Sequence, residues 1–289
     1  MLHGVILYPG EPDDLFIASL YTIRRVKWEV VFTSMEGQNH YAQEEVLSLH
    51  SNLVIVMDPN FTTYDYLSDL VRRGCHLFLT ERQRLSFDER VKLIQLAEEG
   101  NTFIQVRNDL LFHPSLATLS KGGSESKLIE IHHVAPGEKG SIQELMYGNL
   151  LMILRLINSE PSRISVCSIP SSGYQPDVVN LHLDFHNGSA ASLTLSFTGE
   201  KKEHLLSVHS ADGVKTYNFK ESEHFPSSCN QIFESTQIFS DDLLFRQIAN
   251  FADSILKKTS RNFGLSEETR TFLLIEKINR KLEFSSVLI

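Results

Sequence analysis

The sequence predicts a two-domain protein. An N-terminal α/β half is built on a Rossmann-like parallel sheet, and a C-terminal α+β half carries a largely antiparallel open sheet with helices. Three observations lead there. From Ser51 to Pro114, short apolar strands alternate with helices in a βαβαβ order, the pattern of a parallel sheet. After about residue 160, strands follow one another directly, with Asn187-Gly188 and Asp212-Gly213 as hairpin turn pairs. Between the two patterns lies a small, polar, Gly-rich segment, Leu119 to Lys127, so the boundary is placed at 1–120 and 121–289.

Gly4 to Tyr8 reads as the first strand and is followed by the loop Pro9-Gly10-Glu11-Pro12-Asp13-Asp14. A helix is expected from Asp14 to Arg25, capped by Asp13 or Asp14, with Leu15, Ala18, Ile23 and Val26 as its apolar stripe. Trp28 to Thr33 gives the second strand, and Tyr41 to Leu49 a further helix. The remaining strands of this half are Leu53 to Met57, Cys75 to Leu79 and Thr102 to Val106. They alternate with helices from Thr63 to Arg73 and from Ser86 to Glu99.

In the second half Leu128 to Val134 partly alternates and reads as a strand. Ser141 to Ile157 places Ile142, Leu145, Met146, Leu150, Ile153 and Leu156 at helical spacing. Strands follow at Arg163 to Ser168, Val178 to Phe185, Ala190 to Phe197, Glu203 to Ser210 and Val214 to Phe219. Ser240 to Lys258 and Ser266 to Leu282 close the chain as helices, the second opened by a cap and two acids, Ser266-Glu267-Glu268.

Composition narrows the function classes. A net charge of −9 argues against general nucleic-acid binding. No apolar run approaches the length of about 20 residues that spans a membrane, and Met1 to Leu7 reads as a strand rather than a signal peptide. Three scattered cysteines, Cys75, Cys167 and Cys229, make neither a zinc spacing nor a disulfide framework, and point to a reducing cytoplasm.

Several segments in order carry a specific resemblance. They are Asp58-Pro59-Asn60-Phe61-Thr62 after an apolar strand, His76-Leu77-Phe78-Leu79-Thr80-Glu81-Arg82, and Leu111-Phe112-His113-Pro114. Val179 to Ala190, with its Asn-Gly turn, and the closing helices extend the match over nearly the whole chain. The chain resembles the Gfo/Idh/MocA family of sugar and cyclitol oxidoreductases. The resemblance implies a dinucleotide-binding first domain, an NAD or NADP cofactor, and self-association through the open sheet of the second domain.

The departures from the family pattern bear on chemistry. The family's Gly-x-Gly-x-x-Gly loop cradles a pyrophosphate at a helix N-terminus. The matching positions here are Tyr8, Gly10 and Asp13, so only the middle glycine survives, and Glu11, Asp13 and Asp14 bring negative charge. The ribose-contacting place after the second strand holds Thr33-Ser34. The cofactor-side turn is kept as Asp58, Pro59 and Asn60. The family's lysine, which handles a proton beside substrate and nicotinamide, is matched by Glu81; a shift of one residue brings Arg82, a poor proton shuttle. The family's acid-and-histidine helix is matched at Leu145, Asn149 and Met152, and no His or Asp occurs between Leu145 and Ile157.

Two further constellations are weighed. His182, Asp184 and His186 alternate on one strand and share a face, a weak metal candidate whose plainer reading is a polar sheet face. His132 and His133, adjacent on a strand, point to opposite faces.

The sequence therefore predicts an oxidoreductase-like protein that has lost NAD(P) binding and catalysis and binds no cofactor. Its expected role is binding, scaffolding or regulation, as a homodimer or higher oligomer. A small polar ligand is expected in the cleft that the family uses, with no nucleic-acid or membrane partner. The alternative is an active NAD(P)-dependent oxidoreductase on a sugar-like or cyclitol substrate with an atypical cofactor loop.

Overall fold

The computed structural model describes residues 1–10, 14–33, 46, 50–80, 85–112, 116, 126–136, 142–170, 176–219, 224–226, 240–258 and 264–286. The chain divides into two compact units, Met1–Asp109 with Ser240–Thr269, and Leu110–Phe239 with Arg270–Ile289. The expected helix at 41–49 and the linker at 119–127 fall almost entirely outside the described residues.

Short apolar runs make the centre of the first unit. Strands β1 (Leu2–Pro9), β2 (Val26–Thr33), β3 (Leu53–Val56), β4 (His76–Leu79) and β5 (Ile104–Val106) form a parallel sheet in the order β2-β1-β3-β4-β5. Every residue of β3 is buried, as a strand covered on both faces requires. Helices α1 (Asp14–Tyr21), α2 (Tyr64–Arg72) and α3 (Phe87–Glu99) follow their strands. Ser86 opens α3 with a capping box: its hydroxyl accepts the Glu89 N–H, and its own N–H donates to the Glu89 carboxylate at 2.7 Å.

Helix α1 corrects the expected one in two ways. It ends at Tyr21, because the Thr22 hydroxyl donates to the Ser19 carbonyl at 2.6 Å and the Ile23 N–H to the Leu20 carbonyl, a turn that feeds β2. Its inward face is Phe16 and Leu20, four residues apart; Leu15 is 73% exposed and Ala18 is exposed. Ile23 and Val26 are buried, but from the turn and from β2.

The second unit is built on β6 (Leu128–Val134), β7 (Pro161–Pro170), β8 (Pro176–Phe185), β9 (Ala190–Ser196), β10 (Glu203–Ser210), β11 (Gly213–Asn218) and a short β12 (His224–Pro226) that sequence patterning does not reveal. The order is β12-β11-β10-β6-β9-β8-β7; β6 and β9 run parallel and the other neighbours antiparallel. The Asn187-Gly188 turn joins β8 to β9, with Gly188 at φ +79°, a conformation that favours glycine. Helix α4 (Ile142–Ile157) buries Met146, Leu150 and Ile153 in one core with Ile131, Leu181, Leu193 and Leu206 of the sheet.

Two helices end the chain, α5 (Ser240–Lys257) and α6 (Leu265–Ser286). The boundary read from the sequence assigns α5 to the C-terminal half. The structure corrects this: Leu244, Ile248, Phe251 and Ile255 pack on the parallel sheet of the first unit, with Phe251 and Phe78 at 5.8 Å between ring centres. Apolar periodicity shows that a helix has a buried face but not which sheet receives it. The first turn of α6 also belongs to the first unit, where buried Glu268 pairs with buried Arg90 of α3 at 2.9 Å. Glu267 reaches back to the Gly264 N–H at 2.9 Å, so the helix cap comes from Glu267 rather than Ser266. Among the described residues, no helix is long and apolar enough to cross a membrane.

Candidate functional site

The parallel sheet brings most of the expected cofactor residues to one edge. Tyr8 and Gly10 end β1, Thr33 ends β2 opposite Pro9, and Asp58, Pro59 and Asn60 follow β3. The chain leaves β1 for β2 on one side and reaches β3 on the other, so a topological switch point lies between β1 and β3. Asp13, Glu81 and Arg82 lie outside the described residues.

Aromatic rings occupy the end of β1. The Tyr8 ring lies 4.8 Å from Phe16 of α1, and Phe16 lies 5.3 Å from Phe245 of α5. Asp14 opens α1 with an exposed carboxylate. Gly10 keeps a left-handed conformation, φ +82°, as a turn at this point requires. The turn after β3 satisfies itself: Asp58 accepts the Asn60 N–H at 2.9 Å, and the Thr62 hydroxyl donates to the Pro59 carbonyl at 2.7 Å. Thr80, at the end of β4, donates to the Val56 carbonyl at 3.2 Å.

A second polar centre lies inside the second unit, and it contains a position singled out in the sequence. Asn149 sits on the buried face of α4 and is 1% exposed. Its Nδ2 is 2.6 Å from the Leu145 carbonyl and 3.0 Å from His133 Nδ1; its Oδ1 is 2.8 Å from His204 Nε2. His133 of β6 and His204 of β10 are direct partners across the ladder, and their rings stack at 3.9 Å with 9° between planes. Phe219 lies 4.7 Å from the His204 ring. The contact with Leu145 fixes the amide, because an oxygen there would face another oxygen. His204 Nε2 must then donate and His133 Nδ1 must accept. The expectation of core packing holds for Met152, which is fully buried, and for Leu145, which packs partly buried against the core. Asn149 departs from it by carrying a hydrogen-bonded polar network.

His133 and His204 as a pair escaped sequence reading. The accessible signal was a polar residue, Asn149, on an apolar helical stripe. The missing information was the ladder register that sets His204 opposite His133.

Of the metal candidates, His182 and Asp184 approach each other at 3.2 Å on the outer sheet face, and both are exposed. His186 lies beyond the end of β8. Among the described residues no three His, Cys, Asp or Glu side chains are placed to hold a metal ion. The outer face is polar elsewhere too, with His209 against Glu130 at 2.9 Å and Asn180 against Thr194 at 2.8 Å. Burial pushes the Cys75 thiol up, a trend that the Ser51 hydroxyl only opposes, so this group does not offer a thiolate nucleophile.

No family model and no curated protein matches the chain by sequence. Solved structures do match. A UDP-N-acetylglucosamine 3-dehydrogenase from Acidithiobacillus ferrooxidans aligns with TM-score 0.73 at 15% identity over 96% of this chain and 97% of its own. A dehydrogenase from Chromobacterium violaceum aligns with TM-score 0.74 at 13% identity over 100% and 99%. GenD2 from gentamicin A biosynthesis, solved with NAD, aligns with TM-score 0.70 at 12% identity over 96% and 93%. The chain has the Gfo/Idh/MocA oxidoreductase fold. Within that fold, the corner at β1 is where a dinucleotide's phosphates are expected, and α4 is the helix matched to the family's acid and histidine. Here the first carries Tyr8, Phe16 and Asp14, and the second carries Asn149 bonded to two strand histidines.

Proposed function

We propose that this chain uses the Gfo/Idh/MocA fold for binding or regulation and does not carry out NAD(P)-dependent hydride transfer. The observation that carries this reading is the corner at the end of β1. A pyrophosphate needs glycine for close backbone approach and unopposed N–H groups at a helix start. Tyr8 instead fills the place matched to the first glycine and packs on Phe16, while Asp14 adds a carboxylate. Like charges in contact repel. The residues present therefore fit a dinucleotide poorly.

Asn149 supports the same reading, since both ends of its amide are taken up inside the second unit. The role left to the fold is recognition of a small polar ligand or a partner, with self-association through the outer sheet face of the second unit. Leu128, Val214 and Ile169 are exposed apolar side chains on that sheet.

The rival reading is an active NAD- or NADP-dependent oxidoreductase on a sugar-like or cyclitol substrate. Its support is that matching structures are named dehydrogenases and one holds NAD.

Thermal unfolding with each of the four nicotinamide dinucleotides separates the two. A ligand at a hundredfold excess over its Kd stabilises by about 2.7 kcal/mol. The midpoint is expected to stay fixed at millimolar cofactor. An upward shift that saturates in the micromolar range would establish the rival reading. Sedimentation at neutral pH is expected to give a dimer or larger species; a monomer at all concentrations removes self-association from the proposal.

A further inference from the structure

The turn between β8 and β9 carries a chemically labile pair, Asn187-Gly188, and both residues are exposed. Glycine has no Cβ to shield its backbone nitrogen, so that nitrogen can reach the side chain of the preceding asparagine. The reaction is a cyclisation. The Gly188 nitrogen bonds to the Asn187 side-chain carbonyl carbon, and the Nδ2 group leaves with the Gly188 proton as ammonia. Water then opens the cyclic imide to aspartate or isoaspartate. In the folded chain the groups that must move are held. Gly188 donates its N–H to the Phe185 carbonyl at 3.0 Å. Asn187 Oδ1 accepts the Ser189 N–H at 3.1 Å, and Nδ2 donates to the Ile157 carbonyl at 3.3 Å. The Ser126 hydroxyl donates to the Asn187 backbone carbonyl at 3.0 Å.

We infer that Asn187 is a modification site that folding keeps closed: it stays intact while the β8–β9 turn is docked on the end of α4, and converts to aspartate or isoaspartate when the turn leaves. The contact with Ile157 gives the reaction a consequence. Ile157 is the last residue of α4, where helix carbonyls lack partners within the helix. Three groups supply them. Asn158, at φ +50°, donates its N–H to the Leu154 carbonyl at 2.9 Å. The Lys127 ammonium donates to the Leu156 carbonyl at 3.2 Å, and Asn187 to the Ile157 carbonyl. Conversion replaces the Asn187 donor by a carboxylate oxygen, acceptor against acceptor, and adds negative charge at the negative end of the helix. Isoaspartate also adds a carbon to the backbone of the turn.

The size of the protection follows from the bonds on the reacting groups. A typical internal hydrogen bond is worth about a factor of five in an equilibrium. The bonds to Phe185, Ser189 and Ile157 must all open before the Gly188 nitrogen meets the amide carbon. Conversion of the folded chain is therefore expected to be about a hundredfold slower than that of the unfolded chain. Because ammonia is lost, the step does not reverse, and a turn that has reacted docks less well than before.

The test uses the full chain, incubated at neutral pH folded and in urea, with residue 187 followed by peptide mass and by detection of isoaspartate. Conversion is expected in urea and is expected to be about a hundredfold slower in the folded chain. Equal rates in the two states, or no conversion in urea, overturns the inference. Ser126→Ala leaves the reacting groups in place and removes one bond that docks the turn; it is expected to speed the folded-state conversion by about fivefold. A rate unchanged from wild type would show that docking does not hold the pair, and also overturns it. Asn187→Asp, one of the two products, is expected to raise the unfolding constant by about tenfold, and a variant as stable as wild type contradicts the consequence drawn at Ile157. If N187D does not fold, the wild-type rates and S126A decide alone. These readouts involve no dinucleotide, so the outcome is independent of the cofactor question.

Discussion

The two units fill the places where oxidoreductase chemistry is expected in different ways. At the end of β1 the first unit uses rings, Tyr8 on Phe16 on Phe245, and turns that cap themselves through Asp58 and Thr62. Under α4 the second unit uses side-chain hydrogen bonds among His133, Asn149 and His204. The first unit also buries an ion pair, Arg90 with Glu268. The difference teaches that one fold can fill such places either by ring packing or by polar bonding.

The largest effect that would break this contrast is at the ion pair. Arg90→Met removes the guanidinium that pairs with the buried Glu268 carboxylate and is expected to destabilise by about 3–5 kcal/mol. Denaturant unfolding at neutral pH would show the loss, and a variant as stable as wild type would show that the pair does not hold the unit together.

Next is Asn149→Ala. It strips the His204 N–H of its acceptor in the core and is expected to cost about 2–3 kcal/mol by the same measurement. A variant as stable as wild type would erase the contrast between the units.

A smaller effect is expected at the aromatic corner. Tyr8→Ala removes a half-buried ring from the stack and is expected to cost about 2 kcal/mol. Thermal denaturation checks it, and a neutral or stabilising result would show that the rings do not hold the corner together.

The smallest effect lies at the α3 cap. Ser86→Ala is expected to cost about 1 kcal/mol. The Ser86 hydroxyl and backbone N–H hold the Glu89 carboxyl below its usual value. A carboxyl with a depressed native value stabilises above its unfolded value, about 4.3, and that contribution is lost as pH falls through the native value. The acid limb of the stability curve should therefore flatten in the variant.

Much of the fold was legible in the sequence. Leu53 to Val56, with no polar residue, could only be a strand buried on both faces, and Asn187-Gly188 marked the hairpin that joins β8 to β9. Ser86 with Glu89 announced the start of α3. What escaped reading depends on long-range placement. Phe251 shows helical periodicity whichever sheet it packs against, so the return of α5 to the first unit was invisible. Leu15 satisfied a helical stripe that the eight-residue α1 does not use. For the candidate site, the departures at Tyr8 and Asn149 were legible from the resemblance to the family, position by position. Their physical meaning could not, because Phe245 lies far from Tyr8 in sequence and His204 far from Asn149.

The central claim is that the corner at β1 no longer receives a dinucleotide. The chain has a single tryptophan, Trp28, buried in β2 of the same sheet. Titration of NADH and NADPH, with excitation of Trp28 and detection of nicotinamide emission, tests it most directly. The account predicts no saturable energy transfer up to millimolar cofactor. A saturating signal at micromolar concentration, competed away by NAD or NADP, would contradict it.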